Sequence, residues 1–422
     1  MNRVAAGGSV AARQGSDGAA APPVALYVHI PFCVSLCPYC DFVVYAGAAA
    51  RGPKARVARF VTALHAELDL RADALDAAFG TARPPLETVY LGGGTPSLLP
   101  ADQIAGLLQH VAGRFGLVPD AEVTVEANPG PDERGDAAAL RAAGVTRLSI
   151  GAQAMSAAGL RRLGRRHRVV DVVRAVAEAR AARIASVSID LLYDAPDASL
   201  ADWMETLEAA LALAPDHLSL YALTLDDPGS EGLTGPAGDH LPTTAGARRW
   251  RATARPVQDE DRAAAEYHHA VHRLADDGWR GYEISNWARP GHESRHNLAY
   301  WQRRPYEAAG PGAHAFDGVS RRWNAARLDG YLAALAPMDA VVPTLPPGGS
   351  ETVDPATAAA ERVILGLRTD RGVPFTAAQA PPLSEAFGWA LAAELVDVVD
   401  EDRVVLTTRG RLLSNELFAR LV

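Results

Sequence analysis

The chain is poor in sulfur and in long apolar stretches. Three cysteines and four methionines occur in 422 residues. Three cysteines cannot build a disulfide scaffold, and a reducing compartment follows from that scarcity. No apolar run approaches the 18 residues of a membrane span. A basic surplus is also missing: 41 Lys and Arg stand against 50 Asp and Glu, a formal charge of −9. A global nucleic-acid footprint is thereby excluded. Residues 1–21, rich in Ala, Gly and Ser, lack the continuous apolar centre of a secretory signal and read as a disordered extension.

The few cysteines are not scattered. Cys33, Cys37 and Cys40 fall within eight positions, spaced C-x3-C-x2-C, directly after the apolar run Val24 to Ile30. Soft thiolates at such spacing hold a metal or an iron–sulfur cluster. Structural zinc wants four ligands, and the nearest fourth, His29, lies inside the strand-like run. A cubane cluster held by three cysteines leaves one iron open to something other than protein.

Downstream, strand and helix patterns alternate about six times over Val24 to Leu225. The repeat argues for βα units and a parallel sheet. Expected strands are Val24 to Ile30, Leu86 to Leu91, Glu122 to Ala127, Val145 to Gln153, Ser186 to Tyr193 and His217 to Leu223. Val57 to Leu75, Ala101 to Phe115 and Glu260 to Ala275 read as helices. The second strand runs into Gly92-Gly93-Gly94-Thr95-Pro96, where backbone amides can meet an anionic group. Glu126 and Gln153 stand at strand ends, and Asp190 is an acid in an apolar strand that needs a partner if buried. Asp226 to Pro256 reads as an irregular insertion. Gly281 to Trp301 interleaves aromatics, polar residues and two histidines, a composition that can line a pocket for a flat ligand. Residues 337–355 read as a linker, and residues 356–422 as helices flanking a hairpin turned at Asp400-Glu401-Asp402. Its candidate recognition helix, Leu383 to Leu395, has no Lys or Arg, which argues against DNA.

The cysteine loop, Gly-Gly-Gly-Thr-Pro, Glu126, Gln153, Arg165 and Asp190 occur in an order that resembles radical S-adenosylmethionine enzymes of the oxygen-independent coproporphyrinogen III oxidase-like branch. The resemblance covers nearly all of Val24 to Val422. It implies an α/β fold: an open (β/α)6 partial barrel over residues 22–256, an extension carrying a haem or substrate region over 257–336, and a winged-helix-like C-terminal domain. It implies a [4Fe-4S] cluster on Cys33, Cys37 and Cys40, with S-adenosylmethionine on the open iron. Tyr27, His29, Tyr39, Phe42, Gly93, Gly94, Thr95, Glu126, Gln153, Arg165 and Asp190 would surround the cofactors. Oxidases of this branch carry a further cysteine two positions after the third; here that position is Phe42. The Asp-Phe ending resembles the haem chaperone (HemW) group, as does His296-Asn297-Leu298-Ala299-Tyr300, which matches an H-N-x-x-Y signature and makes His296 the candidate haem-iron ligand.

The group's implied activity is delivery of haem to apo-haemoproteins such as respiratory cytochromes, without decarboxylation. An electron donor of the flavodoxin or ferredoxin kind, a cytoplasmic location touching the inner face of the membrane, and a monomer or cluster-dependent homodimer follow from the same resemblance. The alternative is an oxidative decarboxylase or a methyltransferase-like enzyme acting on a tetrapyrrole. Of three departures from the chaperone pattern, Ala154-Met155, Asp194-Ala195-Pro196 and Ser294, the first two fall near the expected cosubstrate crevice and leave it open.

Overall fold

The structure, a computed structural model, describes residues 19–47, 55–225, 228–336 and 341–422. Six strands run parallel in chain order: β1 (Ala25–Ile30), β2 (Leu86–Gly93), β3 (Leu117–Ala127), β4 (Arg147–Gln153), β5 (Ser186–Tyr193) and β6 (His217–Ala222). Helices cross between them: α1 (Ala55–Phe79), α2 (Ala101–Phe115), α3 (Ala137–Ala142), α4 (Ala157–Arg162), α5 (Val169–Ala181) and α6 (Leu200–Leu211). Parallel pairing demands such crossovers, and both faces of the sheet are then covered. Leu26, Val28 and Ile30 accordingly join Leu91, Val125, Ile150 and Ile189 in one continuous core, all buried.

The sheet continues past both ends of this set. Beyond β6 lie the short antiparallel strands β7 (Arg280–Gly281) and β8 (Asn286–Ala288), with β8 against β6. On the other side β9 (Tyr306–Ala309) pairs parallel with β1, a seventh parallel strand. Next come β10 (His314–Phe316), β11 (Ser320–Asn324) and β12 (Gly348–Thr352), all antiparallel. The order β12-β11-β10-β9-β1-β2-β3-β4-β5-β6-β8-β7 does not close, so the barrel is partial and open as the family resemblance implied.

Three segments differ from the sequence reading. The insertion after Leu225 contains α7 (Ala245–Ala254), capped by the Thr244 hydroxyl on the Ala247 amide. Its Ala- and Arg-rich composition favours a helix, although the Gly, Pro and Thr around it read as breakers. The segment 337–355 holds β12, and a Cβ on Gly348 or Gly349 would drive into Trp323 of the neighbouring strand. Those glycines permit a close strand approach rather than marking flexible chain; residues 337–340 lie outside the described set. The expected closing helix, Thr408 to Leu421, is two short helices that meet at Leu413. Of the N-terminal extension, residues 1–18 lie outside the described set, and the Ala21 amide donates to the Asp317 carbonyl at 2.8 Å.

The remaining helices are α8 (Glu260–Asp276), α9 (Arg295–Trp301), α10 (Leu328–Leu335), α11 (Pro355–Leu367), α12 (Leu383–Ala392), α13 (Thr408–Leu412) and α14 (Ser414–Phe418). From α11 onward the chain has its own apolar core around Leu367, Leu383, Val404 and Leu417. A three-stranded sheet of β13 (Val373–Pro374), β14 (Val396–Val399) and β15 (Arg403–Leu406) forms its wing, with the expected turn at 400–402. Arg280 grips Asp370 with two contacts, 2.5 and 3.0 Å, and fixes this unit against the barrel.

Candidate cofactor site at the carboxyl ends of the strands

The cysteine loop follows the end of β1, where α/β sheets present their sites. Gly94 donates to the Ile30 carbonyl at 2.9 Å and Thr95 to the Phe32 carbonyl at 2.8 Å, so the loop is laced to the glycine segment after β2. A Cβ on Gly94 would lie 2.6 Å from the Phe32 carbonyl oxygen and 2.7 Å from that of Ile30. Only glycine permits this approach.

Side chains close a circuit around the loop. The Cys33 Sγ lies 3.3 Å from the Thr95 hydroxyl, which accepts from the Asn128 amide at 3.0 Å. Asn128 Oδ1 accepts from Arg165 Nη2 at 2.5 Å, and Arg165 Nη1 donates to Cys37 Sγ at 3.0 Å. Strand ends β2 and β3 and the segment after α4 thus meet at the thiols. Gly164, with φ +66°, lies against Pro38 of the same loop. Burial opposes the Arg165 charge, but Tyr39 and Cys37 outweigh it and hold its pKa above the ordinary value.

Burial pushes the Cys33 thiol up to about 12 and raises that of Cys40 as well; the Thr95 contact opposes the first shift and the Phe42 backbone the second. Without a cation the buried thiolates are therefore unfavourable, and an iron centre would supply the missing positive charge. No three His, Cys, Asp or Glu among the described residues are grouped as a single metal ion requires. Thiols bound to separate irons of a cluster need no such convergence. The donor set therefore fits an iron–sulfur cluster: three thiols in one short loop, with a guanidinium facing Cys37.

Beyond the loop, Glu126 accepts from the Tyr90 hydroxyl at 2.8 Å and from the Gly93 amide at 2.9 Å. Burial lifts its carboxyl to about 7, against those two hydrogen bonds. Asp190 takes Ser149 at 2.9 and 3.0 Å and Ser188 at 3.2 Å, and burial raises its carboxyl too. Gln153 closes β4 in the left-handed region, φ 66°. Gly93, Thr95, Glu126 and Arg165 are thus drawn together, with Asp190 two strands from Glu126 in the barrel interior.

Of the other expected site residues, most are engaged within the fold, and only His296 lies apart from the loop. His29 is buried, its ring directly beneath Gly93. Its Nδ1 meets the Tyr27 hydroxyl at 3.0 Å and its Nε2 the Val43 carbonyl at 2.8 Å. Tyr27 is occupied in that pair and packs on Tyr90. Tyr39 packs toward Trp250 of α7, ring centroids 6.3 Å apart. The Phe42 side chain is 63% exposed beside the loop. His296, the candidate iron ligand, lies at the other end of the barrel. Glu122, midway along β3, caps α9 by accepting from the Arg295 and His296 amides, each at 3.0 Å. That cap seats His296 in the barrel, where Nδ1 meets the Thr88 hydroxyl at 2.7 Å and Nε2 the Tyr300 hydroxyl at 2.8 Å. Both nitrogens are taken, and burial pushes the ring down to about 3. Iron ligation by His296 would require at least one of these hydrogen bonds to open, which corrects the reading of an available ligand.

Two contributors escaped sequence reasoning. Asn128 carried a signal, a polar residue at a strand end before proline. Arg251 carried none, because it lies in the stretch Asp226 to Pro256 that reads as an irregular insertion. The fold buries Arg251, whose Nε donates to the Pro38 carbonyl at 3.1 Å and Nη2 to those of Tyr39 and Cys40 at 3.1 and 3.0 Å.

Residues 27–210 match the model of the radical SAM superfamily. The haem chaperone HemW of Mycobacterium tuberculosis is 39% identical over 400 residues, 95% of each chain. HemW of Escherichia coli K12 is 37% identical over 296 residues, covering 69% of this chain and 70% of its own. Among solved structures, the Escherichia coli coproporphyrinogen III oxidase HemN, titled a radical SAM enzyme, gives a TM-score of 0.75 at 22% identity, covering 95% of this chain and 90% of its own. That last likeness concerns the fold alone. At these identities and coverages, the chain belongs to the radical SAM superfamily and, within it, to the HemW family.

Proposed function

We propose that this chain is a haem chaperone: it carries a [4Fe-4S] cluster on Cys33, Cys37 and Cys40, binds S-adenosylmethionine and haem, and hands haem to apo-haemoproteins. The observation that carries the reading is the 39% identity, across 95% of both chains, with a relative named as a haem chaperone. The site supports it with three half-buried thiols in one loop, two of which, Cys33 and Cys37, are closed into a circuit by Thr95, Asn128 and Arg165.

The bound cluster supplies low-potential electrons and an open iron for the amino and carboxylate groups of the cosubstrate. The chain's own residues do the rest. Arg165 offsets negative charge at Cys37 and ties it to the carbonyl end of β4 through Gly151, 3.0 Å away. Glu126, lifted by burial to about 7, accepts from Tyr90 and Gly93 and retains lone pairs for an ammonium group. Asp190 is held by serines, ready for a ribose hydroxyl. The Gly93–Thr95 backbone gives close approach to the methionine portion. Gln153 completes this set at the end of β4.

Phe42 supports delivery over porphyrinogen oxidation, because it puts an exposed hydrocarbon ring where the oxidases of the branch have sulfur. No described helix is long and apolar enough to cross a membrane. Our reading places the protein in the cytoplasm, meeting acceptors at the inner membrane face and taking electrons from a flavodoxin- or ferredoxin-like donor.

The test is anaerobic. Reconstituted protein is given haem, and separately coproporphyrinogen with a reductant and S-adenosylmethionine. Binding of a single equivalent of haem, its transfer to an apo-cytochrome, and no decarboxylated product are expected. Porphyrinogen turnover, or failure to bind haem, refutes the reading.

A further inference from the structure

Asp194 follows the last residue of β5, the strand that carries Asp190, and its side chain is buried. Its φ of 54° lies in the left-handed region, where a non-glycine residue is uncommon. Its surroundings hold it there. The Asp194 amide donates to Glu266 Oε2 of α8 at 2.7 Å. Oδ1 of its carboxylate accepts from Arg262 Nη2 at 2.5 Å and from the Asp259 amide at 3.3 Å, and Oδ2 accepts from Gln258 Nε2 at 3.1 Å. Gln258 also donates to the Leu223 carbonyl, 2.6 Å away, just past β6. Every partner of the carboxylate thus lies in residues 258–262, the junction that leads from α7 into the first turn of α8.

Apolar contacts make a second link to α7. Ala195, Ala154, Leu160 and Leu163 share a small buried cluster with Ala254 of α7, and Tyr39 and Trp250 pack against it. The two sequence departures at 154 and at 194–195 therefore meet beneath one helix. Tyr39 belongs to the cysteine loop. Trp250 precedes Arg251, whose guanidinium holds the Pro38, Tyr39 and Cys40 carbonyls. A helix fixed only at Arg251 would move with the loop it touches. A second fixed end turns that contact into a clamp.

We propose that Asp194 is a positioning residue for the cysteine loop: it anchors the carboxyl end of α7 to β5, and α7 transmits the anchor to the loop through Arg251. The strand that presents Asp190 and the loop that presents the thiols are thereby held in one frame. The proposal rests on the cysteine loop being the cofactor site and is independent of haem.

The test compares folded variants, each checked by thermal melting. Asp194→Gly removes the carboxylate and keeps a backbone that takes this φ readily. In cluster-free protein, amide hydrogen exchange over residues 36–42 should quicken roughly tenfold, the loss expected of one charge-assisted hydrogen bond. After reconstitution, a chelator should strip iron correspondingly faster. Arg255, which donates to the Leu225 carbonyl at 2.5 Å, and the apolar cluster remain, so the effect should be smaller than that of Arg251→Ala. Asp194→Asn keeps one acceptor oxygen and should fall between Asp194→Gly and the parent. The deciding variant is the double one: Asp194→Gly should add nothing to Arg251→Ala, because both act through α7. A residue that only closes its own turn would quicken exchange at residues 194–198 and leave 36–42 at the parent rate, which overturns the proposal. Full additivity in the double variant overturns it too. Exchange in the cluster-free chain involves neither iron nor haem, so it decides this point even where the chaperone reading fails.

Discussion

Arg251 offers the sharpest test of how the fold prepares the cysteine loop. Its guanidinium reaches three consecutive carbonyls, Pro38, Tyr39 and Cys40, from an otherwise peripheral helix. Hydrogen bonds from a charged donor contribute about 1.5–3 kcal/mol each, but one Nη2 serves two carbonyls and water can re-solvate what is freed, so a net loss of about 3 kcal/mol is expected for Arg251→Ala. That is roughly a 150-fold shift in the equilibrium between closed and open loop. The barrel core lies elsewhere, so the global melt should move little while the loop opens. Two measurements read this: amide hydrogen exchange over residues 36–42, and the rate at which a chelator strips iron from reconstituted protein. Both should accelerate strongly in Arg251→Ala, with Arg251→Lys intermediate because an ammonium cannot span the three acceptors. Parent-like exchange and iron release in a folded Arg251→Ala variant would refute the clamp.

Three further outcomes follow from the geometry. Gly94→Ala places a Cβ 2.6 Å from backbone oxygen and should break the lacing of the cysteine loop, lowering iron content after reconstitution far more than Gly106→Ala, where nothing lies within 4 Å. His296→Ala removes two buried hydrogen bonds and should lower stability by about 2–4 kcal/mol in urea unfolding; haem absorbance that stays parent-like would confirm that the ring closes the barrel rather than ligating iron. The third concerns pH. Burial depresses His29 to about 4, His296 to about 3 and His217 well below 6.5. The unfolded chain then binds protons that the fold refuses. These rings cost stability as pH drops from 6.5 toward 4, each by up to about 1.4 kcal/mol per pH unit, partly offset between pH 7 and 4.5 by the buried Glu126 and Glu266 carboxyls, which burial lifts to about 7. Denaturant melts of the cluster-free protein at pH 7.5 and 5 should show this loss, and His296→Gln should flatten it.

Local pattern revealed the parallel core because each strand is a short apolar run followed by a turn and an amphipathic helix, and neighbouring strands are neighbours in sequence. It failed where the cause was not local. Gly348 and Gly349 look like linker residues until Trp323, 25 positions earlier in the chain, lies against them. Arg251 looks like part of an irregular insertion until the cysteine loop packs on α7. The seventh parallel strand, Tyr306–Ala309, is four residues long, carries no periodicity worth reading, and exists because β1 offers it an unpaired edge.

Within the site, what separates a residue that can meet a ligand from one that only fills the barrel is its number of unused bonding positions. An imidazole has two polar positions, and in both His29 and His296 each is taken by a neighbour inside the fold. A carboxylate has about four lone-pair positions. Glu126 uses one toward Tyr90 and one toward Gly93, which orients the group without exhausting it. Arg165 shows the same economy from the donor side: it fixes Asn128 and Gly151 through one nitrogen and reaches Cys37 through another. Sequence motifs mark all four residues alike, because each sits in a recognisable segment. Saturation depends on partners as distant as Thr88 is from His296, so it can be counted only after folding. The count agrees with our proposal that Glu126 and Arg165 face the cosubstrate, and it leaves His29 and His296 with both ring nitrogens bonded inside the fold.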